Sequence, residues 1–305
     1  MIRAMTSVSS CPVRCPFAGG RRLSCGLARP ALLAAVLAAG LGLGGWGPAA
    51  AGPVPYPVAP LLFGPGPGVP LAADFERDVA QRLQLPAEER DGYTLLLQAA
   101  LATAQLKLAT PQFLLLVDRS PNVQAALLYF GPTEAGWHWV GAAPVSTGLP
   151  GRYEHFTTPL GVFGHTLANP DFRAEGTQNK LGFRGYGRKG LRVYDFGWVD
   201  APRGWGNGAM GVLRLQMHAT DPDLAEWRLG TAQSEGCVRI PSTLNDFIDR
   251  HGLLDEDYLQ AAAGGSPLWV LRKDRTPTAT PGRYMVVVDS ARPDRPAWSP
   301  LPVRR

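Results

Sequence analysis

From Phe113 onward the apolar residues of this chain stop recurring at intervals of three and four. They fall instead into short blocks, "FLLLVD", "QAALLYF" and "WHWVGAAPVST", separated by turn-prone stretches. Blocks of this length bounded by turn formers read as strands. The pattern continues at "TPLGVFGHTL", "LRVYDFGWV" and "VLRLQMHA", and again at "PLWVLRK" and "RYMVVVD". Helical spacing surrounds it. Before Phe113, "AADFERDVAQRLQL" and "AEERDGYTLLLQAALATAQLKL" are two helices broken at Pro86, and later "STLNDFIDRHG" and "DEDYLQAAA" are two more, with Ser242 placed to cap the first. The expected fold class is mainly β (α+β), with N-terminal helices packed on a β-rich domain.

The first 51 residues read as a signal peptide: a basic n-region with Arg3, Arg14, Arg21, Arg22 and Arg29, the apolar run "ALLAAVLAAGLGLGGWG", and small residues allowing a cut after Ala51. The run is short and glycine-rich for a membrane span, so cleavage is expected, and any membrane attachment would be through an uncleaved leader. Five of the 30 Lys and Arg residues and none of the 25 Asp and Glu fall in this leader, so the remainder is formally neutral. The net basic charge therefore gives no argument for a nucleic-acid partner. Three of the four cysteines, Cys11, Cys15 and Cys25, also leave with the leader. Cys237 stays as a lone thiol in an exported, oxidising setting, where it is either inert and buried or chemically employed.

The expected organisation is leader 1–51, Pro/Gly-rich linker 52–71, helical segment 72–110, main domain 111–275, and a C-terminal strand with a Pro-rich, loosely ordered tail over 276–305. Between Gly164 and Gly211 lies a glycine-rich region with Arg173, Lys180, Arg184, Arg188, Lys189, Arg192 and Arg203 and the aromatics Phe183, Tyr186, Trp198 and Trp205. Such a stretch either covers a site or is a solvated insertion.

A cysteine nucleophile needs a neighbouring base to take its proton. Of His138, His155, His165, His218 and His251, His218 is best placed, closing the strand "VLRLQMH" ahead of the loop that leads to Cys237. Gly236 permits a tight turn that brings backbone amides toward an oxyanion. Ser234 suits a turn, its hydroxyl bonding local backbone. Glu235, two residues before the sulfur, works against a thiolate unless it points outward, pairs with an arginine such as Arg239, or meets a cationic amine. No His or Cys pair has metal-ligand spacing, and no cofactor is expected.

These residues carry a resemblance. "H-x15-S-E-G-C-V-R", from His218 to Arg239, resembles the signature of the L,D-transpeptidases (the YkuD domain), where a histidine precedes S-H-G-C-[VI]-R. "PVSTG" (144–148), "TPLGVF" (158–163) and "FLLLVDRSPNVQAALLYF" resemble further segments of that family in the same order, covering roughly 113–272. The resemblance implies a YkuD-like β-sandwich or barrel and a periplasmic enzyme acting on peptidoglycan stem peptides. Cys237 would be the nucleophile and His218 the proton acceptor and donor, oriented by the Ala219 carbonyl. Gly236, Cys237 and Ser234 would support the oxyanion site, and Arg239 would support the site or hold a substrate carboxylate. The departure is Glu235, where the family usually has histidine. A proteobacterial branch that makes 1,3 crosslinks also lacks that histidine. The products left open are 3,3 or 1,3 crosslinks, or hydrolysis with water as acceptor. A catalytically weakened peptidoglycan-binding protein is the alternative in a different class, and the oligomeric state is left open.

Overall fold

The computed structural model describes residues 71–303; the expected leader and all but the last residue of the expected linker lie outside them. Two helices come first, α1 (Ala72–Asp78) and α2 (Ala87–Thr103). The strands β1 (Gln112–Asp118), β2 (Ala125–Thr133), β3 (Gly136–Pro144), β4 (Gly161–Gly164), β5 (Phe172–Arg173), β6 (Arg192–Pro202), β7 (Met210–Ala219) and β8 (Val238–Ile240) follow, then α3 (Ser242–His251), α4 (Glu256–Ala263) and β9 (Tyr284–Val288). The chain is mixed α/β, with two sheets and few helices, compatible with the mainly β expectation. Among the described residues no helix is long and apolar enough to cross a membrane.

One sheet has the order β3-β2-β1-β9-β4 and the other β5-β6-β7-β8. The first is buried on both faces, which is why "FLLLV" is apolar at every position rather than alternating. Phe113, Leu115 and Val117 of β1 pack inward against Leu215 and Met217 of β7, Val238 and Ile240 of β8, and Leu244, Phe247 and Ile248 of α3. Leu114 and Leu116 point the other way, to Tyr93, Leu97 and Leu101, one face of α2 at four-residue spacing. Tyr93 is also tied through its hydroxyl to Asp118 Oδ2 at 2.6 Å. The second sheet is different: its inner face joins the shared core, while its outer face carries polar side chains at the His218 end of β7 and exposed apolar ones at the Met210 end. That asymmetry makes it the sheet on which a site can be built.

Behind β6 lies a cluster of buried charges. Arg192, fully buried, reaches Asp171 at 2.6 Å through Nε and Asp255 at 2.7 Å through Nη1. His165 Nε2 meets Asp171 at 2.8 Å, and its ring stacks on Tyr258 at 4.9 Å. Burial opposes the charge on His165, but the Asp171 carboxylate outweighs it and raises its pKa above the ordinary value. The cluster ties β6 to the start of α4 and to the 165–171 turn. Arg192, grouped by sequence with the glycine-rich region's cations, is thus a core residue on a strand.

Four expectations change. The first helix stops at Asp78, with Val79 already extended, instead of running on to Pro86. Ser242 is not the cap of α3: it is the first helical residue, its Oγ has no partner among the described residues, and its N–H is bonded by the Glu226 carboxylate. "PLWVLRK" is not a strand, because Val270 and Leu271 pack on Tyr258 and the Val270 carbonyl accepts from Arg173 instead of from a neighbouring strand. The Pro-rich tail is anchored, with Trp298 against Tyr93 and Ser299 Oγ donating to the Val123 carbonyl at 2.7 Å.

Candidate functional site

Period-two alternation decides which side chains of the second sheet face outward. On β7, Leu213, Leu215 and Met217 enter the core, so Arg214, Gln216 and His218 point the other way. On β8, Val238 and Ile240 are in the core, so Cys237 and Arg239 share the outer face. The strands are parallel, with Met217 opposite Val238 and His218 opposite Arg239. Cys237 therefore stands opposite Gln216 and diagonal to His218, one strand across and two residues along, so their backbone positions lie about 8 Å apart. Side-chain rotation can close that distance between sulfur and imidazole.

His218 is 4% exposed and its Nδ1 bonds the Ala219 carbonyl at 2.7 Å. A carbonyl accepts only, so Nδ1 carries the proton and Nε2 presents a lone pair. Burial, and then the Arg239 charge, push the imidazole down to about 4 against the partial support of the Ala219 carbonyl. The Cys237 thiol is raised above its ordinary value, first by burial, with Glu235 and Asp195 adding to it and the Gln216 backbone N–H and Arg239 opposing. Neutral thiol and neutral imidazole are the resting forms. The thiol is directed at the Arg214 carbonyl, 3.8 Å away, on the far side of Gln216 from His218 along β7.

The loop that delivers Cys237 is fixed from three directions. Gly236 has φ +132, and a Cβ there would lie 2.8 Å from Leu213 and 3.1 Å from Phe156, so only glycine fits. Thr158, fully buried, donates its hydroxyl to the Gly236 carbonyl at 2.7 Å and accepts from Gly148 N–H at 2.9 Å. One hydroxyl thus joins "PVSTG", "TPLGVF" and "SEGC". Ser234 Oγ donates to the Cys237 carbonyl at 2.6 Å and accepts from Gly236 N–H at 3.1 Å. The Gly236 amide is therefore engaged within the turn, and the Cys237 amide is the better placed of the two to face an oxyanion.

Glu235 is exposed and makes no ion pair among the described residues, so of the alternatives the sequence left open, pairing with Arg239 is not formed. Arg239 donates from Nη1 to the Gln233 carbonyl at 3.2 Å, leaving its buried Nε without a partner. It is a cation without a direct carboxylate partner among the described residues, beside the thiol and the imidazole, and the Glu235 charge acts on it from a distance.

Residues that sequence reasoning did not assign to the site complete it. Tyr186, in the glycine-rich region, sets its ring edge-on to His218 at 4.7 Å and donates its hydroxyl to Gln216 Oε1 at 3.3 Å. Gln216 Nε2 and Arg214 Nε both donate to Asp195 Oδ2 at 2.8 Å. Part of that region thus does cover the site. Gln216 was within reach of sequence alone, two positions before His218 on the same strand face. Asp195 was hidden by the irregularity between Asp195 and Trp198, which breaks the β6 alternation. Among the described residues no cluster of His, Cys, Asp and Glu has metal-holding geometry. No protein-family model matches the chain, and no curated protein matches it.

Proposed function

We propose that the chain is an exported cysteine acyltransferase of the L,D-transpeptidase type, with a YkuD-like catalytic fold, working on peptidoglycan stem peptides in the periplasm. The observation that carries this reading is the shared outer face of β7 and β8, where Cys237 lies diagonal to a His218 whose Nδ1 is held by Ala219. Substrate binding turns the thiol from the Arg214 carbonyl toward His218. His218 Nε2 takes the thiol proton as sulfur attacks a stem carbonyl carbon, and the oxyanion forms against the Cys237 amide. The tetrahedral adduct collapses to a thioester, the C–N bond breaks, and His218 returns the proton to the departing amine. An acceptor amine then attacks the thioester, gives its proton to His218, and releases Cys237 as a thiol. Arg239, a cation without a carboxylate partner, suits a substrate carboxylate, and Glu235 on the rim suits an acceptor ammonium.

The depressed imidazole and raised thiol favour one second reading, a peptidoglycan binder with a weakened catalytic pair. Mass spectrometry of muropeptides from purified sacculi incubated with the protein separates the two. Crosslinked dimers absent from the Cys237→Ala control support the transpeptidase and reveal whether the bond is 3,3 or 1,3. Shortened stems alone mark the hydrolase. Unchanged muropeptides from protein that still sediments with sacculi favour the binder.

A further inference from the structure

The site fills half of the outer face of the β6–β7 pair; the other half is left exposed by the described residues. Trp198, Val212 and Met210 are 64%, 60% and 56% exposed. Trp198 pairs with Arg214, Asp200 with Val212 and Pro202 with Met210, so these side chains share the face that carries Gln216 and His218. Adjacent exposed apolar side chains on one rigid surface mark a binding surface more often than scattered single ones do. The indole is held in place: the Arg214 guanidinium lies over it at 5.5 Å while Arg214 Nε is fixed by Asp195 at 2.8 Å.

We propose that this strip binds a pyranose ring of the glycan strand from which the stem peptide hangs, an inference that rests on the peptidoglycan reading above. A pyranose offers a C–H face that stacks on a flat aromatic ring, ringed by hydroxyl and amide groups that need hydrogen bonds at its edge. Trp198 supplies the ring, Arg214 donors, and Asp200, without an ion pair among the described residues, an acceptor. The carboxylate also argues against an apolar protein partner, since burying it unpaired costs several kcal/mol. Spacing fits as well. Trp198 and Cys237 flank β7 two residues out of step, about 7 Å along the strand and about 10 Å across it, so about 12 Å apart. An extended stem at about 3.3–3.6 Å per residue covers that in about three residues. A sugar on Trp198 thus brings the carbonyl of about the third stem residue to the sulfur.

The test compares Cys237→Ala protein with Cys237→Ala/Trp198→Ala, measuring cosedimentation with purified sacculi and fluorescence-detected or calorimetric titration with a soluble β-1,4-linked N-acetylglucosamine oligosaccharide. Equal thermal midpoints check that the exposed substitution leaves the fold intact. The expected result is binding weakened about tenfold or more by loss of the indole. Equal binding by the two proteins overturns the strip, and so does a Trp198-dependent monomer–dimer equilibrium, which assigns the surface to a second copy. Acylation of the wild-type thiol by a carbapenem reports on the enzyme reading separately: acylation without Trp198-dependent binding removes the sugar site alone, whereas neither acylation nor binding removes both.

Discussion

His218 donates through Nδ1 to the carbonyl of Ala219, its own neighbour in the chain, at 2.7 Å. The bond fixes tautomer and ring orientation without enlisting a carboxylate. An Asp or Glu in that position would raise the imidazole pKa; a neutral carbonyl raises it less, and burial with Arg239 nearby prevails. Cys237 and His218 thus both rest uncharged, and on the proposed reading substrate binding is what brings the thiol to the imidazole.

Alkylation of Cys237 by iodoacetamide should show this directly. With the imidazole near 4 and the thiol above its usual range, the rate should climb through the alkaline region with no inflection around pH 6.5. Mass-spectrometric rates between pH 5 and 10 provide the check. A plateau reached below pH 7 contradicts a neutral pair.

Stability should depend on pH with a defined sign. The unfolded His218 titrates near 6.5 and the folded one near 4, so between these values the unfolded chain binds more protons and acidification favours unfolding. The full interval of about 2.5 units corresponds to about 3 kcal/mol lost on going from above pH 6.5 to below pH 4. His165 acts in the opposite sense, its raised pKa giving stability that is lost as pH rises through the folded value. Urea denaturation of wild type and His218→Gln isolates the first effect: the variant should lose less stability between pH 7 and 4.5. Parallel curves contradict it.

Thr158→Val should leave Gly236 C=O and Gly148 N–H unsatisfied in a buried site, at a cost of about 1–3 kcal/mol for each. Thr158→Ser, keeping the hydroxyl, should recover most of that and the alkylation rate of Cys237. Denaturant midpoints of the two variants settle whether the hydroxyl or the methyl group matters.

Arg192→Met removes the cation that neutralises Asp171 and Asp255 in the interior. Loss of one partner of a buried ion network costs about 3–5 kcal/mol, since the remaining charges are stranded. Guanidinium unfolding should reveal a drop of this size, with Lys in place of Arg failing to restore it because it lacks the planar fork.

Much of this arrangement was legible in the residues. The apolar blocks located β1, β2, β3, β6, β7 and β9, because strands buried on one or both faces leave a strong hydrophobic record. Cys237, His218 and Gly236 stood out because a lone thiol, a strand-ending histidine and a turn glycine each have few alternative uses. What stayed hidden depends on the third dimension. Glu226 serving the start of α3 is a contact across 16 positions, and the "PLWVLRK" block has strand composition but pairs with no strand among the described residues. Tyr186 was one aromatic among several, and nothing local says that its ring meets His218. The role of Thr158 appears only when three motif segments converge on one hydroxyl.

The central claim is that Cys237 is a nucleophile served by His218, and intact-mass measurement after incubation with a carbapenem tests it most directly. Wild-type protein should gain one inhibitor mass at Cys237, Cys237→Ala none, and His218→Gln should acylate about 10²–10⁴ times more slowly, the range removed with a general base. Glu235→Ala should still acylate. A folded wild-type protein that gains no mass, or an adduct that persists in Cys237→Ala, would contradict the account.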